Sequence, residues 1–289
     1  MRDRPVVELY ESLARFQWWR ARRGVAPAAL DGLELRKRLR PPRDAAGPAD
    51  GGASLDAWLR DFAGGVTGAR VLDLGCGFGA SLLRAIDAGA RQGVGLTPCR
   101  FQVDRARGVA TARGVADRCR FETASLEGEL PAADLVLAVE ALGHTERLGE
   151  LLAAVAAALA GASRPRFVWL EDLYTGGADA AADADAAALA DAWRSPPLCS
   201  VAAADAALAA AGLRVTRSVD LTPQVPRRPL AELDRTLRRL RWARRWLPVP
   251  SARRVVDAFV GGVRLERLYA RDAACYRVVM AEPAELSER

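Results

Sequence analysis

The sequence predicts an α/β fold built on a doubly wound, mostly parallel sheet, and two observations carry this prediction. Short apolar runs typical of buried strands alternate with Ala- and Leu-rich helical segments between residues 71 and 222, a rhythm that favours a parallel sheet covered by helices. The first run, "VLDLGCGFGA" (71–80), has glycine at every second position before a helix begins. Doubly wound folds that cradle nucleotide-like cofactors share this order of strand, glycine turn and helix.

The other elements are predicted from the periodicity of hydrophobic residues and from the Gly- and Pro-rich segments that separate helices and strands. Before the first strand we expect an aromatic helix, a Pro-, Gly- and Asp-rich mobile linker and a short helix, at 6–23, 41–53 and 55–62. Further strands are expected at 92–97, 119–124, 134–140, 166–172 and 275–281, and helices at 100–113 and 147–160. Residues 178–190 suggest a solvated helix or loop, 200–222 a helix, glycine stop and strand, and 227–246 an arginine-rich helix.

The length of 289 residues suits one large domain, so we predict a single domain over 1–289. Its parts would be a helical segment with linker (1–53), a cofactor-binding core (54–222), a helical cap (223–270), and a last strand with tail (271–289).

Composition excludes several classes of protein. The five cysteines lack metal-like spacing and His144 is the only histidine, which argues against a metal site and for reduced thiols in the cytoplasm. The apolar runs are too short to predict stable membrane insertion. The net charge of +6 comes almost entirely from arginine, since Lys37 is the only lysine. This pattern indicates compositional bias, and we expect no nucleic-acid partner.

The residues around the glycine turn favour a cationic cofactor over a dinucleotide. Gly75, Gly77 and Ala80 satisfy the dinucleotide pattern, but such a site also requires an acidic residue at the end of the next strand. The segment "GVGLT" offers Gly95 and no carboxylate. Asp73, at the mouth of the turn, would repel a pyrophosphate and attract a cation.

"VLDLGCGFG" resembles motif I of class I S-adenosylmethionine-dependent methyltransferases. The resemblance continues through "GVGLTPCRFQVDRAR", "RFETASLEGELPAADLVLAVEALGHT" and "AAAGLRV". It implies a Rossmann-like sheet of seven strands whose last strand, matched by "CYRVVMA", is antiparallel. It also implies S-adenosylmethionine as the cofactor, with Asp73, Gly75 and Gly77 along its methionine and ribose side.

Two positions depart from the common family pattern. The acid that often binds the ribose falls on Gly95, and the acid that often faces the adenine falls on Ser125, followed by the expected apolar Leu126. "GLTPCRFQ" is similar to the "GITLSP"-like segment, followed by glutamine, of tocopherol, sterol and cyclopropane-synthase-like C-methyltransferases. This resemblance implies three residues near the ribose: Leu96, Thr97 and Gln102.

The loop "VEALGHT" (139–145) should lie beside the ligand, because open α/β sheets bind ligands outside the carboxyl ends of their strands. Glu140 and His144 match the E-(A/S)-x-x-H-like segment of sterol, tocopherol and squalene-type C-methyltransferases. The resemblance implies that Glu140 stabilises a carbocation and that His144 removes a proton. A structural histidine at a helix start is the alternative for His144.

Other side chains are candidates for binding the acceptor or the cofactor. Tyr10, Trp18 and Trp19 could cap the pocket and face the sulfonium or a cationic intermediate, although simple packing is an equal alternative. Glu171, near the end of the strand "RFVWLED", is a further substrate-binding candidate. The arginine-rich helix could clamp an anionic substrate through Arg227 and Arg228, or present a solvated face while its leucines pack it as a lid.

We therefore predict an S-adenosylmethionine-dependent methyltransferase that acts on a small, largely apolar acceptor, with isoprenoids among the candidates, at carbon through a carbocation-like state. One alternative is N- or O-methylation of a polar metabolite. A second is a cofactor-binding module without catalysis, which the missing ribose and adenine acids would favour. Homo-oligomerisation is left open.

Overall fold

A computed structural model of the protein describes residues 4–24, 29–30, 33, 36–37, 39–40, 53–176 and 179–284. Its strands are β1 (Arg70–Leu74), β2 (Gln92–Thr97), β3 (Cys119–Thr123), β4 (Leu135–Val139), β5 (Arg166–Tyr174), β6 (Leu213–Asp220) and β7 (Ala274–Pro283). Its α-helices are α1 (Arg4–Ala21), α2 (Ala53–Phe62), α3 (Ala80–Asp87), α4 (Arg100–Ala112), α5 (Leu148–Leu159), α6 (Ala180–Trp193), α7 (Val201–Ala210), α8 (Leu230–Trp246) and α9 (Pro250–Ala270). Residues 41–52 of the expected linker lie outside the described residues.

The seven strands form one sheet in the order β3-β2-β1-β4-β5-β7-β6. The pairs β1–β2, β2–β3, β1–β4 and β4–β5 are parallel, whereas β7 runs antiparallel to both β5 and β6. This arrangement confirms the predicted seven-stranded, mostly parallel sheet with an antiparallel last strand.

Hydrophobic layers cover both faces of the sheet, as the near-continuous apolar strands require. Adjacent residues of one strand point to opposite layers: Val71 joins the layer with α2, α3 and α4, and Leu72 joins the layer with α5 and α7. In β4, Leu135 and Val136 divide in the same way. Because both of its faces are buried, the sheet is a rigid support that positions the loops at its ends.

The chain reverses its direction of winding between β1 and β4, which are adjacent in the sheet. At such a switch point the loops leave the two strands on opposite faces and open a crevice at their carboxyl ends. The loops after β1 and β4 touch there, because a Cβ at Gly75 would lie 2.4 Å from the Cβ of Ala141.

The covering helices divide the predicted cap into two parts with different roles. Helix α1 and the middle of α9 border the crevice, whereas α8 packs onto α9 through Leu233, Leu237 and Val263. In the described part of the chain, no helix combines the length and hydropathy needed to cross a membrane.

Candidate active site

A cavity of about 400 Å³ lies at the carboxyl ends of β1 and β4. This volume is within the range of roughly 300–1,000 Å³ found for small-molecule pockets. Most residues predicted from the sequence line it: Tyr10, Asp73, Gly75, Gly77, Thr97, Gln102, Ser125, Leu126, Glu140, His144 and Glu171. The stripe Val7, Tyr10, Leu13 and Gln17 of α1 forms one wall, as helical spacing requires.

The loop between β1 and α3 has a backbone that only glycine adopts easily. Gly75, Gly77 and Gly79 have φ angles of 71°, 55° and 78°, in the left-handed region that costs other residues steric energy. The Cys76 N–H donates to the Leu96 carbonyl at 3.0 Å and fixes the loop on β2. The cavity floor is therefore bare backbone where a ligand can approach closely.

Asp73 is the polar group at the centre of this floor. It is 3% exposed, and its Oδ2 atom has no hydrogen-bond partner among the described residues. Burial raises the pKa of its carboxyl to about 7, against the opposing charge of Arg36. An unpartnered buried carboxylate is costly, so this atom fits a ligand that brings a donor or a positive charge.

Of the residues expected around the end of β2, Thr97 and Gln102 line the cavity and Leu96 does not. A Cβ at Gly95 would meet Phe121 and Cys76 Sγ at 2.8 and 2.9 Å, so no acidic side chain could reach a ligand from that position. Thr97 is the residue at the strand's end, and its hydroxyl donates to Gln102 Oε1 at 2.9 Å. Leu96 was expected near the ribose but lies in the core, because adjacent strand residues point to opposite faces.

Glu140 is held by a cluster of ionic and polar partners. It follows β4 with a φ of 51°. Its Oε1 accepts from Lys37 Nζ at 3.1 Å and from the Tyr276 hydroxyl at 2.8 Å. Lys37 also forms an ion pair with Asp172, which accepts a hydrogen bond from the Tyr269 hydroxyl. One ammonium thus lies between two carboxylates.

The charges of this cluster follow from its contacts. Burial opposes ionisation of Glu140, but Lys37 and the hydrogen bond from Tyr276 outweigh it and hold the pKa of Glu140 below its usual range. Burial opposes the charge of Lys37, but Asp172 and Glu140 raise its pKa above normal. Burial raises the pKa of Asp172. Glu140 is therefore ionised at neutral pH and forms an ion pair with Lys37.

Glu171 presents a second carboxyl to the cavity from β5. Its Oε2 accepts from the N–H groups of Leu142 and Gly143 at 2.9 and 3.1 Å, which ties the loop after β4 to β5. Burial, with the charges of Asp172 and Glu140 added, raises the pKa of Glu171 to about 7. This group exchanges its proton near neutral pH.

His144 lies in a short 3₁₀ turn, Leu142–His144, and its Nε2 shares a hydrogen bond with the Tyr10 hydroxyl. Its Nδ1 is buried and has no partner within the described structure. Burial lowers the pKa of the imidazole to about 4, so His144 is neutral at physiological pH. When Nε2 carries the proton and donates to Tyr10, the Nδ1 lone pair is left as a proton acceptor.

The two tryptophans of α1 do not line the cavity, contrary to expectation. Trp18 packs on Phe78 with ring centroids 5.4 Å apart, and Trp19 is 55% exposed. At about 100° per residue, Trp19 lies opposite Tyr10 on the helix. The two arginines considered as a clamp for an anionic substrate form ion pairs within the protein instead. Arg227 pairs with Asp272, and Arg228 pairs with Glu266 and Glu232.

Sequence reasoning missed Arg36, Lys37, Asp172 and Trp193, all of which line the cavity. Lys37 had one available signal, since it is the only lysine in an arginine-rich chain. Trp193 was found only from the structure, where a Cβ at Gly261 would lie 2.1 Å from its indole Nε1, which explains a glycine in the middle of α9.

The cavity is acidic although the chain is basic. Its described lining contains five carboxyl groups and two cationic groups: Asp73, Glu127, Glu140, Glu171 and Asp172 against Arg36 and Lys37. Arg36 pairs with Asp56 at 2.8 Å and Lys37 with Glu140 and Asp172. With Asp73 and Glu171 ionised, the site has more negative charge than its own cations neutralise, and it then suits a positively charged ligand or transition state.

Known proteins share this domain and fold. A family model described as a methyltransferase domain matches residues 71–161. Geranyl diphosphate C-methyltransferase from Streptomyces coelicolor A3(2), solved with Mg²⁺, geranyl diphosphate and S-adenosyl-L-homocysteine, aligns over 95% of this chain and 97% of its own, with 17% identity and a TM-score of 0.62. A cyclopropane synthase from Mycobacterium tuberculosis aligns over 95% and 97%, with 16% identity and a TM-score of 0.67.

A third structure shows that the fold alone does not define the reaction. The 4+2 cyclase SpnF aligns over 86% of this chain and 87% of its own, with 18% identity and a TM-score of 0.63. One fold carries different chemistries, so the reaction must be argued from the site.

The glycine loop and the sheet topology agree with the methyltransferase-domain match over residues 71–161, and together they support a class I S-adenosylmethionine-dependent methyltransferase. The predicted class and cofactor are thereby confirmed. The residues present fit S-adenosylmethionine: Gly77 leaves room for it on the cavity side, and the unpartnered Asp73 carboxylate suits a cationic ligand.

Affinity for the cofactor should rise with pH up to about 7 and then level off. The free protein holds a proton on Asp73 below its pKa of about 7, and a cationic ligand must displace that proton. Each pH unit below the pKa then weakens binding by up to about tenfold. Calorimetry with S-adenosylmethionine from pH 5.5 to 8.5 measures this slope. Asp73→Asn should bind weakly with a flat profile, and an unchanged slope in that variant would assign the proton to another group.

Proposed function

We propose that this methyltransferase transfers the methyl group to carbon of a small, largely apolar acceptor, with isoprenoids among the candidates, through a carbocation-like state. One observation carries the proposal: Glu140 is an ionised carboxylate fixed in a cavity with excess negative charge. An N- or O-methyltransferase that acts mainly by positioning has little need of such a charge, whereas a developing carbocation is stabilised by it.

The bond changes are those of alkene methylation. Bound S-adenosylmethionine supplies an electrophilic methyl on a sulfonium. The π electrons of the acceptor form the new carbon–carbon bond while the carbon–sulfur bond breaks, which leaves a positive charge on the neighbouring acceptor carbon. Glu140 stabilises that charge, and His144 takes a proton from an adjacent carbon, which restores the double bond. The acceptor, without its proton, leaves with one added methyl group.

The cations of the lining favour a neutral acceptor. Arg36 bonds to Asp56 and to the Ser81 hydroxyl at 2.6 Å, and Lys37 is enclosed by Glu140 and Asp172. An anionic headgroup would have to break these buried pairs, which is costly. The apolar lining includes Val6, Val7, Leu13, Leu33, Leu198 and Phe259, and it supplies contacts for a hydrocarbon chain.

The pH dependence of the chemical step tests the assignment of the base. His144 has a pKa of about 4, so it is neutral across the range from pH 6 to 8.5. Single-turnover methyl transfer at saturating cofactor should therefore be independent of pH in that range. His144→Ala should slow this step by about 100-fold or more while cofactor affinity is kept. The imidazole titration is directly measurable by NMR because the chain has one histidine.

Glu171 provides the competing assignment. Its pKa of about 7 would make the rate rise with pH through neutrality if its carboxylate were the base. A rate that rises in this way, and that becomes flat and slow in Glu171→Gln, would transfer the role from His144 to Glu171.

A further inference from the structure

Helix α8 has an outer face that no described part of the protein covers. Trp242 and Trp246 are 66% and 72% exposed, and their rings lie 6.4 Å apart. Between residues 235 and 246 the helix contains six arginines and no acidic residue. Two large apolar rings in water on a positively charged helix are unusual for a purely solvated face.

The arrangement around the helix axis is ordered. At about 100° per residue, Trp242 and Trp246 point away from Leu233 and Leu237, which pack on α9. Arg238, Arg239, Arg241 and Arg245 are exposed around the tryptophans, and none of the four has an ion-pair partner within the described structure. Arg244, by contrast, pairs with Asp257 on α9.

We propose that this face, formed by Trp242, Trp246 and the four arginines, is a docking surface for a membrane rich in anionic lipids. Tryptophan is favoured at the level of lipid headgroups, and arginines attract their phosphates. A helix with such a face lies along the membrane surface without crossing it, in agreement with the absence of a spanning helix among the described residues.

Exposed apolar side chains beyond α8 support a membrane as the occupant. Phe259 of α9, the helix on which α8 packs, lines the cavity and is also 40% exposed, so it marks the cavity mouth. Val249, between the two helices, is 52% exposed. Exposed apolar side chains thus continue from α8 through the connection at Val249 to the cavity lining on α9, and a lipid surface would cover such groups favourably. If the proposed function is correct, the same surface is a source of apolar acceptor.

Two other occupants fit less well. In a two-fold dimer formed through this face, the face of one subunit would contact the same face of the other. The unpaired arginines would then repel one another, because residues 235–246 contain no acidic residue to offset them. Single-stranded nucleic acid could stack on tryptophan, but it would not account for the exposed Val249 and Phe259 beside the mouth. Both remain outcomes of the test.

The test is vesicle flotation of the full chain at physiological ionic strength, with phosphatidylcholine alone and with about a third phosphatidylglycerol. We expect binding to the anionic vesicles only, and Arg238→Gln/Arg239→Gln/Arg241→Gln should weaken it by about 100-fold. The matched control is Arg91→Gln/Arg164→Gln/Arg214→Gln. These arginines are exposed at the amino ends of β2, β5 and β6, and their loss removes the same charge but should leave binding intact.

Tryptophan readouts separate the outcomes. Brominated lipids should quench the tryptophan fluorescence of the wild type, and the double variant Trp242→Ala/Trp246→Ala should lose the quenching that is due to these two residues. Equal loss of binding in both arginine triples would indicate net charge alone and would overturn the proposal. So would a dimer that the tryptophan variant dissociates, or a preference for single-stranded RNA over anionic vesicles in competition. Vesicle binding does not depend on catalysis, so failure of the proposed reaction would leave this result standing.

Discussion

Replacing Glu140 by glutamine should slow single-turnover methyl transfer by about 100-fold or more at saturating cofactor. The substitution removes the ionised carboxylate of the cavity and keeps its shape. The amide oxygen of the new side chain can still accept from the Tyr276 hydroxyl, and Lys37 keeps its ion pair with Asp172. The measurement is rapid-quench transfer of a labelled methyl group to the acceptor, together with calorimetric binding of S-adenosylhomocysteine.

The control for this experiment is Glu150→Gln, the same chemical change at an exposed position of α5. It should leave both rate and affinity within twofold or so of wild type, as surface substitutions generally do. If Glu140→Gln transfers the methyl group at the wild-type rate, Glu140 has no part in the mechanism and the carbocation proposal loses its stabilising carboxylate.

Replacing Gly77 by valine should abolish cofactor binding while the protein remains folded. A Cβ at Gly77 would lie 3.8 Å from Gln102 Nε2 with no closer protein atom, so the side chain fits into the cavity floor and takes the space of the ligand. The φ of 55° adds backbone strain on the order of 1–3 kcal/mol. Calorimetry with S-adenosylhomocysteine and thermal unfolding measure the two effects separately.

Gly114→Val isolates the strain from the steric block. Gly114 has a φ of 69° and no protein atom within 4 Å of an added Cβ, and it lies after α4, away from the cavity. Both variants should lose similar stability, but only Gly77→Val should lose the ligand. Wild-type affinity in Gly77→Val would show that the cofactor does not cross this glycine.

The sheet and half of the site were predictable because they follow from local patterns. Apolar strands and the glycine turn define the switch point, and the rule that ligands bind at carboxyl strand ends brings Asp73, Glu140 and Glu171 together without further information. The helical positions of α1 were also predictable. Tyr10 and Trp19 are nine residues apart, which at about 100° per residue is half a turn, so both could not face one cavity.

The ion-pair cluster was not predictable, because its members are far apart in the chain. Lys37 lies 103 residues from Glu140 and 135 from Asp172, and no helical or strand period links such positions. The expectation of Leu96 near the ribose was wrong for a different reason. Leu96 is adjacent to Thr97 in β2, and adjacent strand residues point to opposite faces of the sheet, so only Thr97 faces the cavity.

Lys37 makes the protein unusually simple to probe by chemical labelling. It carries the only ε-amine of the chain. Burial opposes its charge, but Asp172 and Glu140 keep it an ammonium with a raised pKa, and an ammonium does not attack acylating reagents. The native chain should thus take up an amine-directed acyl group at its terminus alone. A second increment in mass would report, at a single known atom, that the ion-pair cluster has opened.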